Sequence, residues 1–398
     1  MSTAGRGTPR GVALAAAGTS ACTIRECAEM GDAAKWLLIA GARPNFMKVA
    51  PLIWELASRQ RNRSLEHVRW KLVHTGQHYD YNMSRSFFED LDLPEPDHFL
   101  GGGSGTHAEQ TAKIMVGFEG ICVSEVPELV LVVGDVNSTL ACAITAKKLH
   151  ARLAHVEAGL RSGDMAMPEE VNRVVTDAIA DELFVTERSG VDNLRREGKR
   201  DSQIHFVGNV MIDTMKHCLE KLDRSPSSVL YTQPYAVLTL HRPATVDDAG
   251  RLRDILESIC SIADDMAVYF PIHPRTEGRM KEFGLLPLVQ RANIVLLPPQ
   301  SYLRFLALSR HAAVVLTDSG GLQEETTVLG IPCLTIRDTT ERPITIDQGT
   351  NRLVGTTGKG IREAYRELTR GRARAGRIPD LWDGCTAARI VDILIARE

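Results

Sequence analysis

The sequence predicts an α/β protein of two doubly wound, Rossmann-like domains facing a cleft. Three observations carry this. The chain has 398 residues, more than one ordinary core accommodates. Short, wholly apolar runs recur along it, each closed by a polar turn and separated by helix-length segments, as parallel strands buried on both faces require. The cycle runs once, stops near residue 215 and starts again.

Residues 1–34 are rich in Ala, Gly, Ser and Thr without a strong pattern, and read as a flexible extension. Arg6 and Arg10 ahead of "VALAAAGTSA" imitate a secretory signal only weakly, and Met30 stands where translation could begin. The first domain, 35–215, takes its strands from "KWLLIAGARP", "RWKLVHTGQH", "LVLVVGDVNS", "RLAHVEAG" and "ELFVTER", with a helix-length segment at 138–150. After "IHFVGNVMIDTM" the second domain, 216–385, builds its own sheet from "YAVLTLHRP", "MAVYFPIHP", "NIVLLPP", "AAVVLTDSGG" and "IPCLTIRD". A helix over 386–398 closes the chain.

Composition narrows the function. With 43% hydrophobic and 24% charged residues the chain reads as soluble and globular. A formal net charge of −3 lacks the basic field that nucleic-acid or membrane-surface binding needs. The densest basic stretch, "RELTRGRARAGR", reads as a solvated face. No run approaches the roughly 20 apolar residues of a membrane helix. Eight cysteines are scattered without a Cys-x-x-Cys pair and read as reduced core residues of a cytoplasmic protein.

Open parallel sheets bind ligands beyond the carboxyl ends of their strands. The polar residues there are Arg43, His74, Asp135, Glu157, His241, His273 and Asp318. In "TDSGGLQEE" a strand runs through Ser319, Gly320 and Gly321 into a helix, so backbone N–H groups and the positive helix end can meet a phosphate. Two carboxylates, Glu324 and Glu325, follow within a turn. Neighbouring helical residues point about 100° apart, so one can accept hydrogen bonds from a ribose diol while the other faces solvent or a neighbouring helix. A Rossmann fingerprint, a P-loop and a Gly-x-Ser-x-Gly elbow are all absent from the sequence. His74 and His78 stand four apart, but after a strand and across a glycine, which argues against a zinc pair. Asp135, Glu157 and Glu169 form a potential acid/base set, because crowding raises some carboxyl pKa values. Arg43, Lys48, Arg161 and Arg173 supply cations suited to a diphosphate.

Taken together, "GARPNFMKVAPL", "HTGQHYD", "GDVNSTLA", "HVEAGLRSGD", "PEEVNR", "VGNVMIDT", "TDSGGLQEE" and "RDTTERPITIDQGTNRLVG" resemble the UDP-N-acetylglucosamine 2-epimerase family, most of all its non-hydrolysing members, over about residues 36–358. The resemblance implies a GT-B-like fold, a UDP-sugar in the interdomain cleft, no redox cofactor or metal, and a cytoplasmic homodimer. It implies reversible C2 epimerisation of UDP-GlcNAc to UDP-ManNAc, by elimination of UDP to a bound glycal and re-addition. Position by position it matches Asp135, Glu157, Glu169 and His241 to catalytic groups. Arg43, Lys48 and Arg342 match phosphate-side cations, Ser319, Gly320 and Gly321 the phosphate cradle, and Glu325 the ribose ligand; Arg173 joins them as a UDP-binding cation on its charge alone. "HRPATVDD" departs from the family's His-Arg-x-Glu-Asn, and Asp80 replaces a glutamine associated with allosteric activation, so that regulation is not expected. The alternatives are a hydrolysing epimerase, a GT-B glycosyltransferase with an acceptor site, and a catalytically silent sugar-nucleotide regulator.

Overall fold

The structure, a computed structural model, describes residues 34–65, 67–76, 88–103, 105–224, 233–372 and 376–397. Gln77, His78, Asp80 and nearly all of the N-terminal extension lie outside these residues.

Among the described residues, two parallel sheets organise the chain. The first has seven strands in the order β3-β2-β1-β4-β5-β6-β7: β1 Ala34–Ala40, β2 Val68–His74, β3 His98–Phe99, β4 Leu129–Val133, β5 Arg152–Ala158, β6 Glu182–Val185 and β7 Ile204–Phe206. The second has six in the order β10-β9-β8-β11-β12-β13: β8 Tyr235–Thr239, β9 Ala267–Pro271, β10 Ile294–Leu297, β11 Val314–Thr317, β12 Cys333–Thr335 and β13 Asn351–Leu353. All five residues of β4 are buried, as helices on both faces require. The strand order reverses between β1 and β4 in one sheet and between β8 and β11 in the other. These are the switch points at which doubly wound sheets open a crevice.

The helix Thr386–Ile395 does not finish the second sheet. Its Ile390, Val391 and Leu394 join the core of the first, beside Leu52, Ile53 and Leu56 of helix Arg43–Arg61 and Met215 of helix Val210–Asp223. Asp213 caps the returning helix, accepting a 2.7 Å hydrogen bond from the Ala387 amide, and Arg59 pairs with Asp392 at 2.6 Å.

Cys122, Cys142, Cys218 and Cys333 are buried and Cys260 half-buried, but Cys385 is exposed. The reading of the cysteines as core residues therefore fails at Cys385, which lies just ahead of the returning helix and outside its packed face. Among the described residues, no helix is long and apolar enough to cross a membrane, and no cluster of three or more His, Cys, Asp or Glu could hold a metal.

Candidate active site

The carboxyl end of β5 carries Glu157 on unusual backbone. Its φ of 77° is left-handed, and the strand's register slips between Val156 and Ala158. Such a conformation is costly for a side-chain-bearing residue and persists only where its surroundings fix it. The irregularity turns the Glu157 carboxylate toward Lys48, on the helix that follows β1, and toward Arg342 from the second sheet's side; it forms an ion pair with each. Burial, the largest single influence, pushes the Glu157 carboxyl up, but Arg342 and Lys48 outweigh it and hold it down at about 2. This reverses the expectation that crowding would raise the pKa of this carboxylate. The loop after β4 must leave room: a Cβ on Gly134, φ 67°, would sit 2.8 Å from Lys48 Nζ.

Asp135 stands at the neighbouring strand end, 31% exposed, and takes a 2.5 Å hydrogen bond from Arg173 Nη1. Arg173 also donates to Glu170 Oε2 at 2.6 Å, and Glu170 accepts from the amides of Ser162 and Gly163. Arg173 is therefore a strut that orients Asp135. Glu169, the third expected carboxylate, is exposed on the first turn of helix Pro168–Ile179 and is not brought into the Glu157 cluster. Arg161 is drawn elsewhere, into pairs with Asp177 at 2.8 Å and Glu197 at 2.6 Å. Arg43 is the first residue of the helix after β1. His74 is buried among Phe46, Phe88 and Phe99, and burial lowers its pKa to about 4, so it is a neutral core residue.

The second sheet contributes His241 and Asp318, from the ends of the paired strands β8 and β11. Thr239 and Thr317, opposite in register, join hydroxyls at 2.7 Å. Asp318 is buried, accepts from the amides of His241 at 2.9 Å and Arg242 at 2.8 Å, and meets His241 Nδ1 at 2.9 Å. Burial acts to raise the Asp318 carboxyl, but the hydrogen bonds and the His241 partner hold it low. An imidazole that donates Nδ1–H to a carboxylate keeps Nε2 available for proton transfer.

His241 lines a cleft of about 390 Å³ with Ser319, Gly321, Glu325, Tyr302 and His273 from the second sheet's side, and Pro44, Met47 and Met211 from the first. A Cβ on Gly320 would lie 2.7 Å from Glu341 Oε1, so a side chain there requires that carboxylate to move. Glu325 is buried at the cleft wall: one oxygen accepts from Tyr302 Oη at 3.0 Å and the other has no partner. Burial pushes its carboxyl up to about 7. A buried carboxylate oxygen with no donor is the feature that a diol would satisfy.

Glu324 takes the second of its two expected alternatives, facing a neighbouring helix and not solvent. It turns inward, accepting from Asn209 Nδ2 at 2.8 Å and pairing with Arg342 Nε at 2.9 Å. Burial, followed by the nearby Glu157, pushes it up to about 7 against the pull of Arg342. Arg342, itself buried, thereby bridges Glu157 of the first sheet and Glu324 of the second. Asn209, Tyr302 and Glu170 are additions to the residues singled out from sequence. Asn209 alone carried a signal, as a helix-capping residue in "VGNVMID".

A family model described as UDP-N-acetylglucosamine 2-epimerase matches residues 60–395. The UDP-N-acetylglucosamine 2-epimerase of Methanocaldococcus jannaschii is 42% identical over 371 residues, covering 90% of this chain and 98% of that protein. The UDP-2,3-diacetamido-2,3-dideoxy-D-glucuronate 2-epimerase of Pseudomonas aeruginosa is 40% identical over 335 residues, 83% of this chain and 91% of its own. A crystal structure of the M. jannaschii enzyme in complex with UDP-GlcNAc and UDP superposes with a TM-score of 0.82 at 40% identity, over 91% of this chain and 99% of that one. A sucrose-phosphate synthase from Thermosynechococcus elongatus, 14% identical, shares the fold at a TM-score of 0.54. With most of its length matched by the family model and its relatives matched almost end to end, the chain belongs to the UDP-N-acetylglucosamine 2-epimerase family, isomerases built on a GT-B-like pair of sheets.

Proposed function

We propose that the protein interconverts UDP-N-acetylglucosamine and UDP-N-acetylmannosamine by reversible elimination and re-addition of UDP, keeping the sugar bound throughout. The observation that carries this is the placing of Glu157 between Lys48 and Arg342, which puts a base and cations for a leaving diphosphate in one buried cluster. In the forward step a carboxylate takes the C2 proton, the C2–H electrons form the C1=C2 double bond, and the C1–O pair leaves with the β-phosphate. Return of a proton to the opposite face of C2, with attack of the UDP oxygen on C1, completes the inversion. The C2 proton is not acidic, so stabilising the departing charge is the larger task. Lys48, Arg342, Arg43 and the Ser319-Gly320-Gly321 turn are the proposed diphosphate contacts, and Glu325 the ribose contact. Asp135, Glu157, Glu169 and His241 are the proposed proton carriers, with Arg173 orienting Asp135. A cytoplasmic homodimer is part of the same proposal.

Proton and phosphorus NMR of the protein with UDP-GlcNAc in D2O tests it. Deuterium at C2 together with UDP-ManNAc is the expected result. Free ManNAc and UDP would instead make the protein a hydrolysing epimerase. An unchanged spectrum would overturn the UDP-GlcNAc assignment, and the P. aeruginosa relative makes UDP-2,3-diacetamido-2,3-dideoxy-D-glucuronate the next substrate to try.

A further inference from the structure

If the proposed function holds, Lys48 and Arg342 await a diphosphate, yet carboxylates already occupy both. Lys48 and Arg342 Nη2 pair with Glu157, and Arg342 Nε with Glu324. Nε meets Glu324 as an ion pair without hydrogen-bond geometry, and the remaining guanidinium nitrogen, Nη1, is buried without a partner. Glu187, Glu341 and Asp347 complete the charges around this cluster. Nη1 gives a diphosphate its entry, and a diphosphate that takes the whole Nη edge displaces the carboxylate already on Nη2. Glu324 is the fixed one, because Asn209, at the start of helix Val210–Asp223, holds the same oxygen that meets Arg342 Nε. Glu157 is the one that the chemistry needs released.

We propose that Glu324 is a positioning residue: with Asn209 it pins the Nε edge of Arg342 while the Nη edge passes from Glu157 to the substrate's diphosphate, and this exchange frees Glu157 to act on the sugar. In the resting protein Glu157, flanked by two cations, binds a proton weakly and is a poor base. Drawing a cation away raises its proton affinity, so the leaving group itself switches on the base. A sugar without a diphosphate would meet a masked carboxylate.

Two measurements on the intact protein test the exchange. The first is the number of protons taken up per UDP bound at about pH 7.5, from calorimetry in two buffers of different ionisation heat. The wild type is expected to take up more than Glu324→Gln, in which Arg342 is no longer held for the exchange and Glu157 keeps its cations; contributions from UDP itself and from Glu325 cancel in the comparison. The second is turnover. Glu324→Gln is expected to lose about 10- to 100-fold in kcat with less than about threefold change in UDP affinity, a split that misplacement of one reacting group produces. Asn209→Ala, which keeps the charge and releases its tether, is expected to change both readouts in the same direction by less, and it carries the test if the Gln variant does not fold. An unchanged proton count would overturn the proposal, as would intact kcat with lost UDP affinity. If the wild type does not epimerise UDP-GlcNAc, the functional reading falls, and the proton count still judges the exchange.

Discussion

At the scale of the residue, the site separates carboxylates that are chemically alike by their neighbours. Glu157 lies between two cations and is held low, whereas Glu325 lies buried beside Tyr302 and is raised to about 7. The two substitutions should therefore differ in kind. Glu157→Gln and Asp135→Asn are expected to lower turnover by at least about 100-fold. UDP affinity should hold in the Asp135 variant and rise in the Glu157 variant, since Lys48 and Arg342 lose a competitor; calorimetric titration with UDP decides this. Glu325→Gln is expected to weaken UDP by about tenfold or more while sparing bound-state chemistry. As ribose hydroxyls bind best to the ionised carboxylate, wild-type UDP affinity should fall as pH drops through about 7, and a titration series in pH would show whether that limb vanishes in Glu325→Gln. The sign for stability is opposite. A folded-state carboxyl raised from about 4.5 to about 7 binds more protons folded than unfolded, so its contribution weakens as pH rises through that window.

At the scale of the element, the strand ends do the positioning. Gly320 sits against Glu341 and opens the turn into helix Gly321–Leu329, so Gly320→Ala should push the carboxylate or the turn out of place. We expect at least about a tenfold loss of UDP affinity, about 1.4 kcal/mol, with thermal stability reporting whether the fold is kept. This level was also the most legible in sequence. Ten apolar runs ending in polar turns mark ten of the thirteen strands among the described residues. The strands β3, β7 and β13 have two or three residues each and, unlike the equally short but wholly buried β12, are not fully buried and show no apolar run. Candidate residues at strand ends were legible for the same reason, since a polar residue breaking an apolar run is visible in one dimension. What was not legible was pairing. Nothing in "PEEVNR" distinguishes exposed Glu169 from buried Glu170, and nothing in "GLQEE" says that Glu324 turns toward an asparagine 115 positions earlier. Those outcomes depend on helix rotation and on contacts between distant segments.

At the scale of the whole molecule, the charges of the candidate site also join the two sheets through Arg342. A nucleotide that binds across this junction stabilises the folded chain by mass action, about 2.7 kcal/mol at a concentration 100 times Kd. UDP should accordingly raise the unfolding midpoint of the wild type, and raise it less in Glu325→Gln at the same concentration; equal shifts would remove Glu325 from the nucleotide site. Ile390→Ala, on the last helix, should cost about 2–5 kcal/mol although it lies far along the chain from the core that it fills.

The return of that helix also sets an order of assembly. During synthesis every strand of the first sheet leaves the ribosome early, yet a groove beside helices Arg43–Arg61 and Val210–Asp223 stays open until the chain's last turns emerge. The nascent protein must hold that apolar groove unfilled while the second sheet is made, a stage at which chaperones find their substrates. A chain that stops ahead of this helix lacks the side chains that fill the groove and keeps its apolar walls exposed.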